Sequence, residues 1–204
     1  SNVTLHNMDE LSRLDIKVND TVLVKRAGDV IPQITKVNVD VRDGSETEVN
    51  IPNQCPSCGN TLKTEGPFMK CDAGMSCPAQ LLGYFEHFVS RKAMNIDGLG
   101  YKINESLINH GFVSQVADLF KLRQHEYKLK RLEGFGKKSI DNLFISIEAA
   151  TNPTLEVFIN SLGIPEVGES TAAALARHFK SFDVLRSASF DELIGIDSIG
   201  DVVA

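Results

Sequence analysis

No apolar run in this chain approaches the ~18 residues that a bilayer-spanning helix needs, and no signal peptide opens it. The expectation is therefore a soluble, intracellular protein without a membrane partner. Positive charge is also short. The formal net charge is −6, which taken alone argues against nucleic acid as a ligand. Cysteine is scarce as well: all four residues fall between positions 55 and 77. The five histidines, His6, His87, His110, His125 and His178, share no spacing with carboxylates or a nucleophile, which leaves them as ordinary core or surface residues. Phe85 and Phe88 read as core.

What charge there is has an uneven distribution. Residues 1–50, 51–90 and 151–204 are each net acidic, whereas 91–150 hold ten basic groups against seven acidic ones. A local basic surface can bind phosphate on a molecule that is acidic overall.

The cysteines occur as Cys55-x2-Cys58-x12-Cys71-x5-Cys77. A Cys-x-x-Cys knuckle supplies two thiolates from one tight turn, and four thiolates close a tetrahedral zinc shell with no position left for catalysis. Gly59 and Gly74 stand where the backbone must curl. Two disulfides are the alternative, which an intracellular setting disfavours. One structural zinc on Cys55, Cys58, Cys71 and Cys77 is the reading. Lys63 and Lys70 are candidates for a minor contact beside it.

The segments on either side differ in character. Residues 21–37 are rich in Val, Ile and Thr and broken by Ala-Gly-Asp after Arg26, which reads as strands. Segment 38–54 is polar and reads as an outer strand or loop that leads to a linker. From Leu81 the periodicity is helical: Ile140, Leu143, Phe144 and Ile147 follow the i, i+3, i+4, i+7 rule, as do Leu155, Phe158, Ile159 and Leu162.

This helical part repeats. MNIDGLGYKINESLI (94–108), LEGFGKKSIDNLFI (132–145), LGIPEVGESTAAAL (162–175) and IGIDSIGDVV (194–203) each give an apolar residue, a short glycine-containing turn and a new helix. The pattern is that of a helix-hairpin-helix. Its glycines let the backbone approach a ligand, and the second helix starts at the turn with outward N–H groups suited to phosphate. The middle apolar residue (Leu99, Phe135, Val167 or Ile199) is expected to turn inward. The bland alternative, glycines that merely end helices, suits one copy better than four. Gly98, Gly100, Gly134 and Gly136 are the leading DNA-binding candidates, with Lys137 and Lys138 beside them. Gly168 belongs to a third copy in acidic surroundings, and the fourth has Ser198 where glycine is expected, so DNA contact by these two is left open. The last copy stops a few residues into its second helix, as a fragment would. A glycosylase, to which Asp97 could belong, follows one hairpin with its catalytic groups and does not fit this tandem array.

The stretch KRAGDVIP (25–32) puts Lys25 and Arg26 at a strand end and Val30 and Ile31 after a turn. One reading is a hairpin whose aliphatics are core. The functional reading is a minor-groove wedge, with Val30 and Ile31 on base edges and Arg26 on a phosphate.

Taken together, TLHNMDE (4–10), KRAGDVIPQI (25–34), the cysteine module, HFVSRKAMNIDGLG (87–100) and LGIPEVGESTAAAL (162–175) closely resemble bacterial NAD-dependent DNA ligases, end to end and in that family's order. The resemblance implies a multidomain chain. It would comprise part of an all-β oligonucleotide-binding (OB) barrel over 1–50, lacking its first strands, a four-cysteine zinc finger over 51–80, and an all-α helix-hairpin-helix array over 81–204. The family's Lys-x-Asp-Gly nucleophile does not occur here. The resemblance therefore implies a DNA-binding clamp, inactive alone, from an enzyme that uses NAD and magnesium to seal nicks between 5′-phosphate and 3′-hydroxyl. Its partner would be nicked duplex, bound without sequence preference in replication and repair, and the chain a monomer in the bacterial cytoplasm at the nucleoid. A non-catalytic scaffold of another repair protein is the alternative.

Overall fold

The computed structural model describes residues 2–27 and 31–204, and of Arg26, Ala27 and Ile31 the backbone alone. The chain forms two compact units, Ser1–Cys77 and Pro78–Ala204.

In the first unit, α1 (Met8–Leu14) starts at Asn7, whose side-chain oxygen accepts from the Glu10 N–H at 3.0 Å. The helix ends on Asp15 in the left-handed region. Strand β1 (Lys17–Val18) pairs antiparallel with β4 (Thr47–Glu48), and β2 (Val22–Ala27) pairs with β3 (Ile31–Val37) across a bulge at Leu23/Val24. The barrel segment thus shows two separate two-stranded ladders among the described residues. Few apolar side chains are buried here (Ile16, Val37, Cys55 and Cys77), whereas Leu23, Val24, Val39 and Val41 are exposed. Polar bonds carry more of the order. Arg42 donates to Asp20 at 2.7 Å and to Asp15 at 3.0 Å, and reaches the Asp15 carbonyl at 2.6 Å. These hydrogen bonds from Arg42 hold the Asp20 carboxyl below the usual carboxylate range.

A third pair of strands, β5 (Lys63–Glu65) and β6 (Phe68–Lys70), forms a hairpin between the cysteine pairs. The Met8 N–H donates to the Pro67 carbonyl at 2.8 Å, and the His6 ring stacks on Phe68 with centroids 5.7 Å apart. The N-terminal segment is thereby seated on the turn of this hairpin.

The second unit is helical: α2 (Pro78–Val89), α3 (Tyr101–Asn109), a 3-10 stretch (Val116–His125), α4 (Glu126–Leu129), α5 (Lys137–Ala149), α6 (Leu155–Ser161), α7 (Glu169–Phe179), α8 (Phe182–Arg186) and α9 (Phe190–Ile194). Its apolar residues sort into two cores. One gathers Phe85, Phe88, Leu107, Leu119, Leu122, Leu129, Ile140 and Leu143 around the first two glycine turns. The other gathers Ile159, Val167, Ala172, Leu175, Phe179, Ile196 and Ile199 around the last two. The four repeats are thus two pairs. Polar bonds join the pairs: His87 Nε2 meets the Asn160 carbonyl at 2.7 Å, Asn160 donates to the Lys92 carbonyl at 2.6 Å, and Lys92 pairs with Glu169 at 2.7 Å.

Within the first pair, each turn rests on the other hairpin's second helix. A Cβ at Gly98 would lie 3.7 Å from Leu143 of α5, and one at Gly134 would lie 3.1 Å from the Ile103 methyl of α3. Both glycines have positive φ, +91° and +87°, which side chains rarely adopt, whereas Gly136 has φ −72°. Backbone strain in this turn therefore belongs to Gly134 and not to Gly136.

Gly134→Val is expected to destabilise the helical unit by about 1–3 kcal/mol, through forced positive φ and pressure on Ile103. Gly136→Val should leave its melting temperature nearly unchanged, since a Cβ there meets only Ser139 Oγ, at 3.8 Å. Parallel chemical denaturation of the two variants checks the contrast.

Candidate metal centre and nucleic-acid interface

The first cysteine pair sits in a tight knuckle. The Cys55 N–H donates to the Asn60 carbonyl and the Gly59 N–H to the Cys55 carbonyl, both at 2.8 Å, while Gln54 and Thr61 bridge below. Cys71 follows β6 directly. A 3-10 turn at Gly74–Ser76 then curls the chain so that Cys77 returns to the cluster, its N–H on the Gly74 carbonyl at 3.0 Å. Gly59 and Gly74 supply the positive φ at these two bends.

All four Sγ atoms lie within 4.8 Å of one another. Cys58 and Cys71 are 3.6 Å apart and Cys55 and Cys77 3.9 Å apart. Four ligands at the zinc–sulfur bond length form a tetrahedron with edges of about 3.8 Å, so the donor set fits one such ion. A disulfide would need about 2.05 Å. The electrostatics agree. N–H groups of Cys58 and Ser57 aimed at the Cys55 sulfur hold its thiol below the ordinary range, with burial opposing. At Cys58 the Asn60 N–H favours the thiolate, yet burial and the neighbouring thiols outweigh it and push the pKa up to about 12. The four-cysteine cluster has the geometry to hold a metal ion.

The glycine turns share one backbone design. Gly98, Gly134, Glu166 and Ser198 occupy equivalent positions, and all have positive φ. The following apolar residues, Leu99, Phe135, Val167 and Ile199, are all buried, as the sequence pattern requires. Next comes a glycine whose carbonyl accepts the first helical bond, from Asn104, Ile140, Ala172 and Ala204 at 2.9–3.0 Å. Ser198 thus keeps the turn without glycine, and Glu166 does the same.

Gly100, Gly136 and Gly168 are the N-caps of α3, α5 and α7, and no side chain caps any of the three. Elsewhere the chain uses the ordinary device: Asn7, Thr154, Ser181 and Ser189 each accept from the first turn of their helix. The first N–H groups of α3, α5 and α7 are therefore left available to an external acceptor, where the helix dipole adds positive potential.

Charge separates the copies. The first turn of α5 carries Lys137 and Lys138, both exposed and without an ion pair among the described residues, and that of α3 carries Lys102. Helix α7 begins with Glu169, already paired with Lys92, and Asp201 follows Gly200 in the fourth copy. Beside the first turn, an open hollow of about 280 Å³ is lined by Arg91, Gly98, Gly100 and Tyr101 together with the carboxylates Glu86 and Asp97.

In the first unit, Lys25 is exposed on β2 opposite Gln33, and Arg26 and Ile31 lie at the facing strand ends. Val30 falls outside the described residues, as do the side chains of Arg26 and Ile31.

Comparison with known proteins follows the same layout. Residues 1–46 match the family model for the NAD-dependent DNA ligase OB-fold domain. Residues 90–148 match the SAM-like helix-hairpin-helix tandem, and 157–204 the helix-hairpin-helix motif. The division between these two falls between the two helical cores. A DNA ligase of Marinomonas sp. (strain MWYL1) is 46% identical over 206 residues, covering 100% of this chain and 31% of that protein. The chain thus spans about a third of that relative's length. The OB-fold segment, the paired glycine hairpins and the end-to-end alignment with part of a DNA ligase together support this chain as a fragment of an NAD-dependent DNA ligase.

Proposed function

We propose that this chain is the part of an NAD-dependent DNA ligase that grips nicked duplex DNA through its sugar–phosphate backbone, while the nick-sealing chemistry is done elsewhere in the enzyme. The observation that carries the reading is the contrast in capping. Helices that open on a glycine turn leave their first N–H groups uncapped, and the helix with two lysines in its first turn is among them. Phosphate oxygens are the acceptors such a terminus fits, and contacts to phosphate carry no sequence information. In this reading Gly98, Gly100, Gly134, Gly136, Lys137 and Lys138 face DNA. Gly168 contributes less, because Glu169 occupies its helix terminus. Lys25, Arg26, Val30 and Ile31 form the minor-groove contact of the OB segment. The whole enzyme would take AMP from NAD with magnesium present, activate the 5′-phosphate of the nick and join it to the 3′-hydroxyl.

Zinc is the metal we assign to Cys55, Cys58, Cys71 and Cys77. It would be structural, since all four tetrahedral positions are taken by protein sulfur. Its contribution is folding free energy for a segment too small to build a core.

Removing zinc with a chelator, or replacing Cys58 by Ser, is expected to unfold residues 55–77 while the helical unit stays folded. Elemental analysis should give one zinc per chain; a metal-free module with full hydrogen-exchange protection would overturn the assignment.

Arg26→Ala and Val30→Asp should weaken duplex binding and, in the whole enzyme, slow sealing more than adenylylation, a step that needs no DNA. Equal loss in both steps would place these residues in the fold.

Gly136→Val should lower duplex affinity roughly tenfold, about 1.4 kcal/mol, by blocking phosphate approach with the fold intact. Lys137→Ala should reduce the log–log salt slope by about 1 and weaken all sequences alike. Salt titrations of duplex binding check both; parent-like binding by both variants would reduce these turns to helix junctions.

A further inference from the structure

A strongly basic stretch of the chain lies just ahead of the second glycine turn. Between positions 121 and 131 lie Lys121, Arg123, Lys128, Lys130 and Arg131, with Glu126 the one acidic residue among them. This is the end of the 3-10 stretch and all of α4. Leu122 and Leu129 anchor it, both fully buried, so the cations are displayed on a fixed support.

These cations are not equally occupied. Lys121 pairs with Asp118 at 3.4 Å, and Lys130 with Glu126 at 2.5 Å. Arg123 lies over the Phe144 ring, 4.9 Å from its centroid. Lys128 is exposed and makes no ion pair among the described residues. Arg131 has no carboxylate partner among them either. Its guanidinium carbon lies over Tyr127, 4.5 Å from the ring centroid, and it donates to the Tyr127 hydroxyl. Tyr127 itself is 71% exposed, the most exposed aromatic among the described residues. An exposed tyrosine gains little from solvent. Stacked under a guanidinium, it holds that group in one orientation and leaves the remaining edge donors for an anion.

We propose that Tyr127, Lys128 and Arg131 form a second phosphate-contacting surface that extends the footprint of the second hairpin along the same duplex. The inference rests on the DNA-binding reading above. Arg131 precedes Gly136 by five residues, so the two lie within about 17 Å even for an extended chain. A duplex presents one charge per ~1.7 Å of axis, so several phosphates fall within that span. A basic, rigid surface in a chain of net charge −6 is matched in charge by a polyanion. Lys128 and Arg131 would each meet one phosphate. Tyr127 would position Arg131.

The test is a salt titration of duplex binding by the 204-residue chain, with variants at both surfaces. Lys128→Ala and Arg131→Ala together should lower the log–log slope by about 2, and Arg131→Lys should restore about half of that loss when combined with Lys128→Ala. Tyr127→Leu should lower affinity several-fold while leaving the slope within about 0.3 of the parent, the mark of a positioning residue. All three side chains are exposed, so thermal melts should match the parent. Lys137→Ala run in parallel separates the two readings. If it lowers the slope and the double variant does not, the second surface is refuted and the hairpin reading stands. If the double variant alone lowers the slope, the second surface stands and the hairpin reading fails. If neither acts, both fall, and a titration with an acidic polypeptide that discriminates the double variant would assign the surface to a protein instead.

Discussion

Burial of one apolar side chain per turn organises the helical unit. Leu99, Phe135, Val167 and Ile199 are each pulled between two helices, and the backbone on both sides must comply. The residue before takes positive φ, and in the first three turns the residue after is the N-cap of a helix whose first N–H groups no side chain caps. Hydrophobic packing inside thus sets the direction of hydrogen-bond donors outside. The same turn is kept where glycine is absent, by Glu166 and Ser198, so packing dictates the conformation and glycine only makes it less costly. What differs between copies is charge at the helix start: lysines on α5, a paired glutamate on α7.

The first unit solves a different problem. With little apolar surface buried, it relies on directed bonds: Arg42 between Asp15 and Asp20, and four sulfurs drawn to one point. The sulfurs converge at spacings that suit a tetrahedral ion, though burial and the neighbouring thiols push the Cys58 thiol up. The N-terminal segment then leans on the hairpin between the cysteine pairs through Met8 and His6. Order at the sulfur cluster is therefore felt outside it.

Much of this was legible in the residues. The cysteine spacing announced the cluster because ligand chemistry leaves few alternatives, and the apolar-glycine pattern announced the turns because it recurs. Helices such as α5 were readable from their buried stripe of Ile140, Leu143, Phe144 and Ile147. Other features left no such trace. Helix α1 fully buries no residue, its Met8, Leu11 and Leu14 being half-buried in a stripe too short to stand out, and its clearest mark is the Asn7 cap. Leu119 and Leu122 repeat every three residues, a 3-10 spacing too short to stand out. Nor does periodicity say which helix faces which. That the four turns associate as two pairs with separate cores depends on contacts between residues far apart in sequence, such as Gly134 with Ile103 and Gly98 with Leu143.

The reciprocal seating of the first two turns has a mechanical meaning. Gly98 rests on Leu143 and Gly134 on Ile103, so neither turn can shift without displacing the helix that follows the other. The two uncapped termini behind them, at Gly100 and Gly136, are locked at one separation by a shared core. In the proposed DNA-binding role such a pair would work as a caliper, suited to a polymer whose charges fall at that gap and indifferent to what lies between them, so recognition would become a matter of measured width.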